Sequence, residues 1–337
     1  MYFVDNGNCY DASRNIALET YLVENRLVDE PILLFYINDP CVIVGRNQNT
    51  IEEVNQAYVE AKDIQVVRRM SGGGAVYQDR GNFSFCFIKD DDGSFHDFAS
   101  FTKPVIDSLH KMGATGAQLQ GRNDLLIDGK KFSGNAMYAK NGRMTAHGTI
   151  LFDANLNEVA NALKPRKEKI ESKGIKSIRS RVTNIRPYVA REYQNMTTEE
   201  FRDMLLLAIF DVDKREDVKE LHLTEADWAK VEAIRAERFG NWEWNYGKSP
   251  AFEISKSYKF PFGLVDIRFN VAKGYITDVK IYGDFFGIGE IAEVERLLIG
   301  VRYTRKALEE ALQPVDIRHY FGKSTLNDVL DMLIGQR

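Results

Sequence analysis

The stretch Arg68-Arg69-Met70-Ser71-Gly72-Gly73-Gly74-Ala75-Val76-Tyr77-Gln78-Asp79-Arg80-Gly81-Asn82 constrains this chain more than any other. Ile64, Val66 and Val67 lead into it, and Phe83-Ser84-Phe85-Cys86-Phe87-Ile88 leads out. Both flanks have strand composition, so the glycines are expected at a strand–turn–strand corner. Three consecutive glycines remove every Cβ from about 10 Å of backbone. Peptide N–H groups can then come close to a ligand and form an anion nest. Arg68 and Arg69 stand beside it as phosphate partners. A plainer reading, a glycine-rich hairpin with exposed arginines, is not separated from this one by glycine content alone. Two familiar phosphate loops are excluded. The stretch has no Gly-Lys-Ser/Thr ending, and it neither opens a helix nor spaces its glycines as a dinucleotide-binding turn does.

A second informative stretch is Asp124-Leu125-Leu126-Ile127-Asp128-Gly129-Lys130-Lys131-Phe132-Ser133-Gly134. Asp-Gly between apolar runs is a strong hairpin signal. A two-residue turn there sets Ile127 against Lys130, Leu126 against Lys131, Leu125 against Phe132 and Asp124 against Ser133. Asp124, Leu126, Lys131 and Ser133 then share one face, and Leu125, Ile127, Lys130 and Phe132 the other. One lysine points inward and the other to solvent, and the hairpin alone does not say which. His147, in the strand His147–Asp153, reads as a structural histidine when no partner is visible.

The remaining chain supplies context. A helix capped by Asp11 or Ser13 is expected to about Asn25, and strands over 32–37 and 41–44. Gly45-Arg46-Asn47-Gln48-Asn49 then reads as a strand-ending loop or a pocket mouth. Thr50-x-x-Glu53 reads as a capping box. Helices are expected over about 99–112, 155–163, from Thr197 and from Thr224 to Arg238. Residues 241–250 read as a linker. Beyond it a hairpin turns at Lys273-Gly274, and two or three helices follow. At 337 residues, 44% of them apolar, the chain can hold one large and one small domain. The expected division is 1–245 and 249–337.

Composition excludes several classes. No apolar run approaches a membrane span and the N-terminus has no signal core, so a cytoplasmic protein is expected. Cys9, Cys41 and Cys86 are widely spaced and read as buried thiols, and the five histidines show no ligand pairing. A net charge of −4 argues against general nucleic-acid binding. Residues 164–181, however, hold eight Lys/Arg against two Glu, either a solvated loop or a loop that closes over phosphate or meets an acidic partner. An anion nest, an inward lysine near an aspartate and aliphatic strands together suit a nucleotide-phosphate enzyme with an apolar cosubstrate.

Taken in order, Arg68-Arg69-Met70-Ser71-Gly72-Gly73-Gly74-Ala75-Val76-Tyr77, Gly121-Arg122-Asn123-Asp124, Lys130-Lys131-Phe132-Ser133-Gly134-Asn135-Ala136 and His147-Gly148-Thr149 resemble the lipoate–protein ligase A family. Lys173 to Asn184 resembles that family's adenylate-binding loop, and Gly283-Asp284-Phe285-Phe286-Gly287 its C-terminal accessory domain. The resemblance implies an α+β protein: a mixed-sheet catalytic domain of the biotin/lipoate ligase fold, related to class II aminoacyl-tRNA synthetases, with a small α+β domain after it. It implies that lipoate and Mg·ATP give lipoyl-adenylate and pyrophosphate, and that the lipoyl group passes to a lysine of a carrier, either the glycine-cleavage H protein or a dehydrogenase E2 lipoyl domain. By position, Arg69, Gly74, Ala75, Val76, Tyr77, Asn123, Asp124 and Lys131 would contact ATP, with Asp124 at Mg²⁺. Lys131, Arg69, Gly72, Gly73, Gly45 and His147 would contact lipoate. Arg179, Arg181 and Val182 would belong to the adenylate loop, and Lys131 would be the catalytic residue. A monomer is expected. Many relatives have His at the position of Gln78, which hydrogen-bonds but does not titrate.

Three rivals share these features. Octanoyl and lipoyl transferases of the same fold use a cysteine acyl-enzyme and no ATP; here the only strand cysteines, Cys41 and Cys86, lie in apolar runs where a thiol is inert. Biotin ligation is the second, though the Arg-Arg-x-Ser-Gly-Gly-Gly-Ala-Val form favours lipoate. A non-catalytic acyl- or carrier-binding module is the third.

Overall fold

The computed structural model describes residues 1–163, 181–246, 253–272 and 274–334. A seven-stranded mixed sheet runs in the order β1 (Tyr2–Val4), β2 (Ile32–Tyr36), β6 (Asn82–Asp90), β10 (Arg143–Leu151), β9 (Lys130–Lys140), β8 (Asp124–Ile127), β7 (Gln118–Gln120). Only β1 and β2 pair in parallel; the other neighbours are antiparallel. β2 is buried along its whole length. Leu33 and Phe35 enter a core with Phe83, Phe85 and the helices Phe98–Lys111 and Thr198–Phe210. Ile32, Leu34 and Tyr36 face the helix Ala12–Glu24. Burial on both sides explains why this strand reads as a continuous apolar run rather than an alternating one.

A second sheet, β4 (Gln65–Arg68), β3 (Cys41–Val44), β5 (Val76–Gln78), carries the glycine-rich turn between β4 and β5. The expected strand–turn–strand corner is present, although its arms pair through β3 and not with each other.

The Ala12–Glu24 helix starts where expected, with the Asp11 carboxylate accepting from Ser13 and Arg14 N–H. Thr197 and Thr224 both form capping boxes. Thr50 does not. Asn49 occupies the cap position, and the Thr50 hydroxyl donates to the Asn245 carbonyl at 2.6 Å while accepting from Arg68 at 2.7 Å. That helix stops at Glu53 and a new one spans Gln56–Ala61. The expected linker also corrects. Trp242–Asn245 is helical, and the buried Asn245 accepts from the Arg68 N–H and donates to the Phe239 carbonyl. Residues 247–250 of that linker lie outside the described residues.

The C-terminal region folds as a meander of β11 (Ile254–Phe260), β12 (Gly263–Ala272) and β13 (Tyr275–Gly283), covered by helices Ile291–Leu298, Arg305–Leu312, Ile317–Phe321 and Leu326–Ile334 around its own core. Strand β11 escaped sequence reading because it is a largely exposed edge with little apolar alternation. This region packs on the glycine-rich turn. Gly283 N–H donates to the Asn47 carbonyl at 2.7 Å, Arg122 lies over the Phe286 ring, and Arg268 makes a two-pronged ion pair with Glu52. Among the described residues no helix is long and apolar enough to cross a membrane.

Candidate active site

A cavity of about 140 Å³ lies where the large sheet, the Ala12–Glu24 helix and the glycine-rich turn meet. Lys131, Asn123, Gly134 and Asn135 of the β8–β9 region line it together with Tyr36, Ser84, Glu19 and Gln78.

The β8–β9 hairpin positions Lys131. Asp128 and Gly129 both have positive φ, as a two-residue turn of this type requires, and Ile127–Lys130 and Leu126–Lys131 pair as expected. The register then shifts: Leu125 faces Ser133 rather than Phe132, and Asp124 faces Gly134 rather than Ser133. The cause is a crossing segment. Lys131 N–H donates to the Arg181 carbonyl at 2.7 Å, and Thr183 N–H donates to the Lys131 carbonyl at 2.9 Å. With its backbone engaged there, β9 bulges, and Phe132 is buried in the core beside Leu125 and Ile127. Lys130 is left exposed. The Lys131 ammonium sits 2.7 Å from Asp124 at the cavity mouth, so the inward lysine is Lys131.

The arginines behave differently from exposed phosphate partners. Arg68 is packed against backbone, donating to the carbonyls of Gly45, Arg46, Gln48 and Trp244. Arg69 reaches the cavity wall but is buried, and donates to Ser71 Oγ and to the carbonyls of Ile43, Gly72 and Gly74. Burial pushes both guanidiniums down to about 10, so both stay charged at neutral pH. Arg69 therefore shapes the glycine-rich turn from inside. Gly73 needs its φ of +92°, a left-handed value. Gly45, which lies beside the turn, and Gly72, which lies within it, do not line the cavity. A Cβ on Gly45 would meet the Gly73 carbonyl, and one on Gly72 the Phe285 carbonyl. Gly73, Gly74, Ala75 and Val76 do line it. Tyr77 points the other way, into a cluster with Val42, Val44 and Val59, because adjacent residues of β5 alternate sides. Its ring is thus removed from the cavity.

His147 has the partners that its sequence context hides. Its Nδ1 lies 2.5 Å from Glu19 Oε1 and its Nε2 2.7 Å from Ser71 Oγ. Arg69 Nε donates to that same oxygen, so with a neutral ring the Ser71 hydroxyl donates to Nε2 and Nδ1–H donates to Glu19. Burial raises the Glu19 carboxyl, but the attraction and hydrogen bond of His147, with further bonds from Cys86 and Tyr36, outweigh it and hold the group below its ordinary value. Gln78 completes the inner wall, accepting from Asn38 at 2.6 Å and donating to Ser84.

Sequence reasoning missed Glu19, Tyr36, Ser84 and Asn135 as cavity residues. Glu19 had a signal: a carboxylate three residues after Ile16 on an otherwise apolar helix face. Arg181 and Val182 meet the backbone of Lys131. Arg179 and most of the basic loop lie outside the described residues. For a metal, Asp124 offers hard carboxylate oxygens at the mouth. The other cluster of donors, Glu19, Cys86 and His147, is buried and includes a thiol, which does not suit Mg²⁺. Cys41 and Cys86 are fully buried, and burial first, then neighbouring carboxylates, raises both thiols far above their ordinary value.

A mixed sheet closed by a glycine-rich turn, with a strand lysine at the mouth of a cavity, defines a protein of the lipoate ligase class. Residues 11–210 match the lipoyl protein ligase A/B catalytic domain, and residues 249–333 match the bacterial lipoate protein ligase C-terminus. The chain belongs to the lipoate–protein ligase family. It is 51% identical to the lipoate-protein ligase LplJ of Bacillus subtilis over 334 residues, covering 99% of this chain and 100% of that one. The fold is similar to that of P. falciparum LipL1 in complex with lipoate (TM-score 0.78, 24% identity, 99% of this chain and 98% of that one). It is also similar to one from an archaeal lipoylation system of Thermoplasma acidophilum, described as a bi-partite lipoate protein ligase and its E2 lipoyl domain (TM-score 0.62, 27% identity, 75% and 98%).

Proposed function

We propose that this protein activates lipoate with Mg·ATP and transfers the lipoyl group to a carrier lysine. The observation that carries this reading is the Lys131 ammonium, paired with Asp124, in a cavity whose wall also holds Gly73, Gly74, Ala75 and Val76 of the glycine-rich turn. A carboxylate held by Lys131 lies beside the glycine-rich turn, where a triphosphate would be cradled by Gly73, Gly74, Ala75 and Val76. A carboxylate oxygen attacks the α-phosphorus, pyrophosphate leaves, and the Lys131 cation offsets the charge that develops. Asp124 would hold Mg²⁺, with Asn123 toward the ATP, and the bound ion would supply charge neutralisation to the phosphates. His147 and Glu19 support the acyl tail at the inner end, and Arg69 acts through the shape of the turn. Arg181 and Val182 belong to the segment that closes on the adenylate, with Arg179 and the basic loop ahead of them.

Domain roles follow the division at 1–245 and 249–337, with catalysis in the first. The carrier is a lipoyl-accepting protein, the H protein or an E2 lipoyl domain; the E2 lipoyl domain in the description of the Thermoplasma acidophilum system supports the class. We place the protein in the cytoplasm, where ATP is available, and read it as a monomer. The high-lying thiols of Cys41 and Cys86 disfavour an acyl-enzyme.

The test is lipoate-dependent pyrophosphate release from Mg·ATP without carrier, for wild type and Lys131→Ala. Release by the wild type, reduced about a hundredfold or more in the variant, is expected. No release from the wild type would overturn adenylation in favour of ATP-independent acyl transfer.

A further inference from the structure

A second cavity, of about 350 Å³, lies between the two halves of the chain. That volume falls in the range of roughly 300–1,000 Å³ common to small-molecule sites. His96, Phe98 and Arg122 enter it from the catalytic half, and Phe262, Phe286 and Lys323 from the C-terminal half. Among the described residues lining it, three are basic and none is acidic. Arg122 donates to the Phe262 carbonyl and lies 4.5 Å from the centre of the Phe286 ring, so it is held in place without being neutralised. The carboxylates whose charge it feels, Asp284 and Asp124, are taken up by Lys259 at 3.2 Å and by Lys131 at 2.7 Å. Among the described residues, the Lys323 ammonium and the His96 ring have no hydrogen-bond or ion-pair partner. The His96 backbone has a φ of +81°, a left-handed value that a non-glycine residue seldom takes outside ligand sites and tight turns.

The charge of the cavity selects its occupant. Burial, and then Lys323 and Arg122, push the His96 ring below its ordinary value, so it is neutral at pH 7. Two fixed cations remain, and a phosphate monoester, at about −1.5 to −2 at pH 7, matches them where a carboxylate would leave one unpaired. The Arg122 fork has donors left over after the Phe262 carbonyl is satisfied. Phe98, Phe262 and Phe286 form an apolar wall suited to a planar body, which inorganic phosphate would leave unused. The geometry points to this cavity as a second anion site, taking a phosphate monoester carried on an aromatic body. AMP, the leaving group of the transfer step, is such a molecule. Naming AMP as the source rests on the ligase reading above; the chemistry of the site does not.

The Phe286 ring also packs on the glycine-rich turn, where a Cβ on Gly73 would lie 3.0 Å from it. An occupant touching both halves therefore holds the C-terminal region against that turn, and it raises the melting temperature of the chain as it binds.

Calorimetric titration of the full-length protein separates this site from the catalytic cavity, with phenyl phosphate, inorganic phosphate and benzoate as probes. Phenyl phosphate is expected to bind one site per chain, about tenfold or more tighter than either of the others. Lys323→Ala, at an exposed position, is expected to weaken it about tenfold, Lys323→Arg to retain it, and Lys131→Ala to leave it unchanged. Equal affinity for the three probes, or binding that depends on Lys131 and not on Lys323, would overturn the site. AMP is expected to show a Lys323-sensitive site of its own; intact phenyl phosphate binding without one overturns AMP as the source. No pyrophosphate release by the wild type overturns the ligase reading and AMP with it while Lys323-dependent binding stands, whereas release without that binding overturns the site alone.

Discussion

Glu19 Oε1 lies 2.5 Å from His147 Nδ1, and both side chains line the cavity, Glu19 buried and His147 half-buried. The carboxylate also accepts from Tyr36 at 3.2 Å and Thr145 at 3.4 Å, so one helix residue ties together β2 and β10. Through His147 and Ser71 the same chain reaches Arg69 and the glycine-rich turn.

Replacing this carboxylate by an amide is expected to destabilise the fold. Glu19→Gln turns an acceptor toward Tyr36 or Cys86 into a donor, and a mispaired buried group costs about 1–3 kcal/mol, measurable by urea unfolding at pH 7. The pH dependence has a definite sign. The Glu19 carboxyl is held below its ordinary value in the folded protein. Its contribution is therefore complete above an unfolded value of roughly 4.3 and is lost as pH falls through the folded value. The gap between wild type and Glu19→Gln should narrow as pH falls below about 4.3. A gap that does not narrow there would contradict the assigned charge.

Gly148 is expected to tolerate no side chain. An added Cβ would lie 2.1 Å from Asn135 Oδ1 and 2.7 Å from the Phe85 ring. Neither neighbour can yield, since Asn135 is clamped to Asn123 and Phe85 is buried in the core. Gly148→Ala should lose about 1–3 kcal/mol through overpacking and raise the KM for lipoate, seen in a thermal melt and in pyrophosphate-release kinetics. Wild-type values for both would mean that the cavity floor lies elsewhere.

Thiol chemistry separates the ligase from the cysteine-dependent transferases. Cys41 and Cys86 are fully buried, while Cys9 is partly exposed. Titration with an aromatic disulfide reagent should find one accessible thiol in the native protein and three after denaturation. Incubation with a lipoyl or octanoyl thioester should leave no acyl group on the chain; a stable adduct on Cys86 would revive the transferase mechanism.

Much of this was readable from residues alone, for identifiable reasons. The Asp128-Gly129 pair fixed both hairpin and turn, because only residues tolerant of positive φ fit there. Capping at Thr197 and Thr224 is local chemistry and came through intact. What failed was decided at long range. The bulge at Phe132 depends on Arg181 and Thr183, some fifty residues away, and the burial of Arg68 depends on Trp244 and Asn245. Two adjacent arginines beside glycines look like phosphate ligands until the carbonyls that occupy them are known. The Glu19–His147 pair joins residues 128 positions apart, beyond any spacing rule.

The close approach of Gly72 to the Phe285 carbonyl joins the two halves of the chain in one constraint. Gly72 has no left-handed φ, so its own backbone would accept alanine; what forbids a Cβ is an oxygen in the C-terminal region, 2.3 Å from where that atom would lie. Motif and accessory region therefore answer to each other as inherited units. A chimaera that takes the glycine-rich turn from one relative and the Gly283–Gly287 loop from another inherits two surfaces shaped for different partners, so viable recombination in this family exchanges them together.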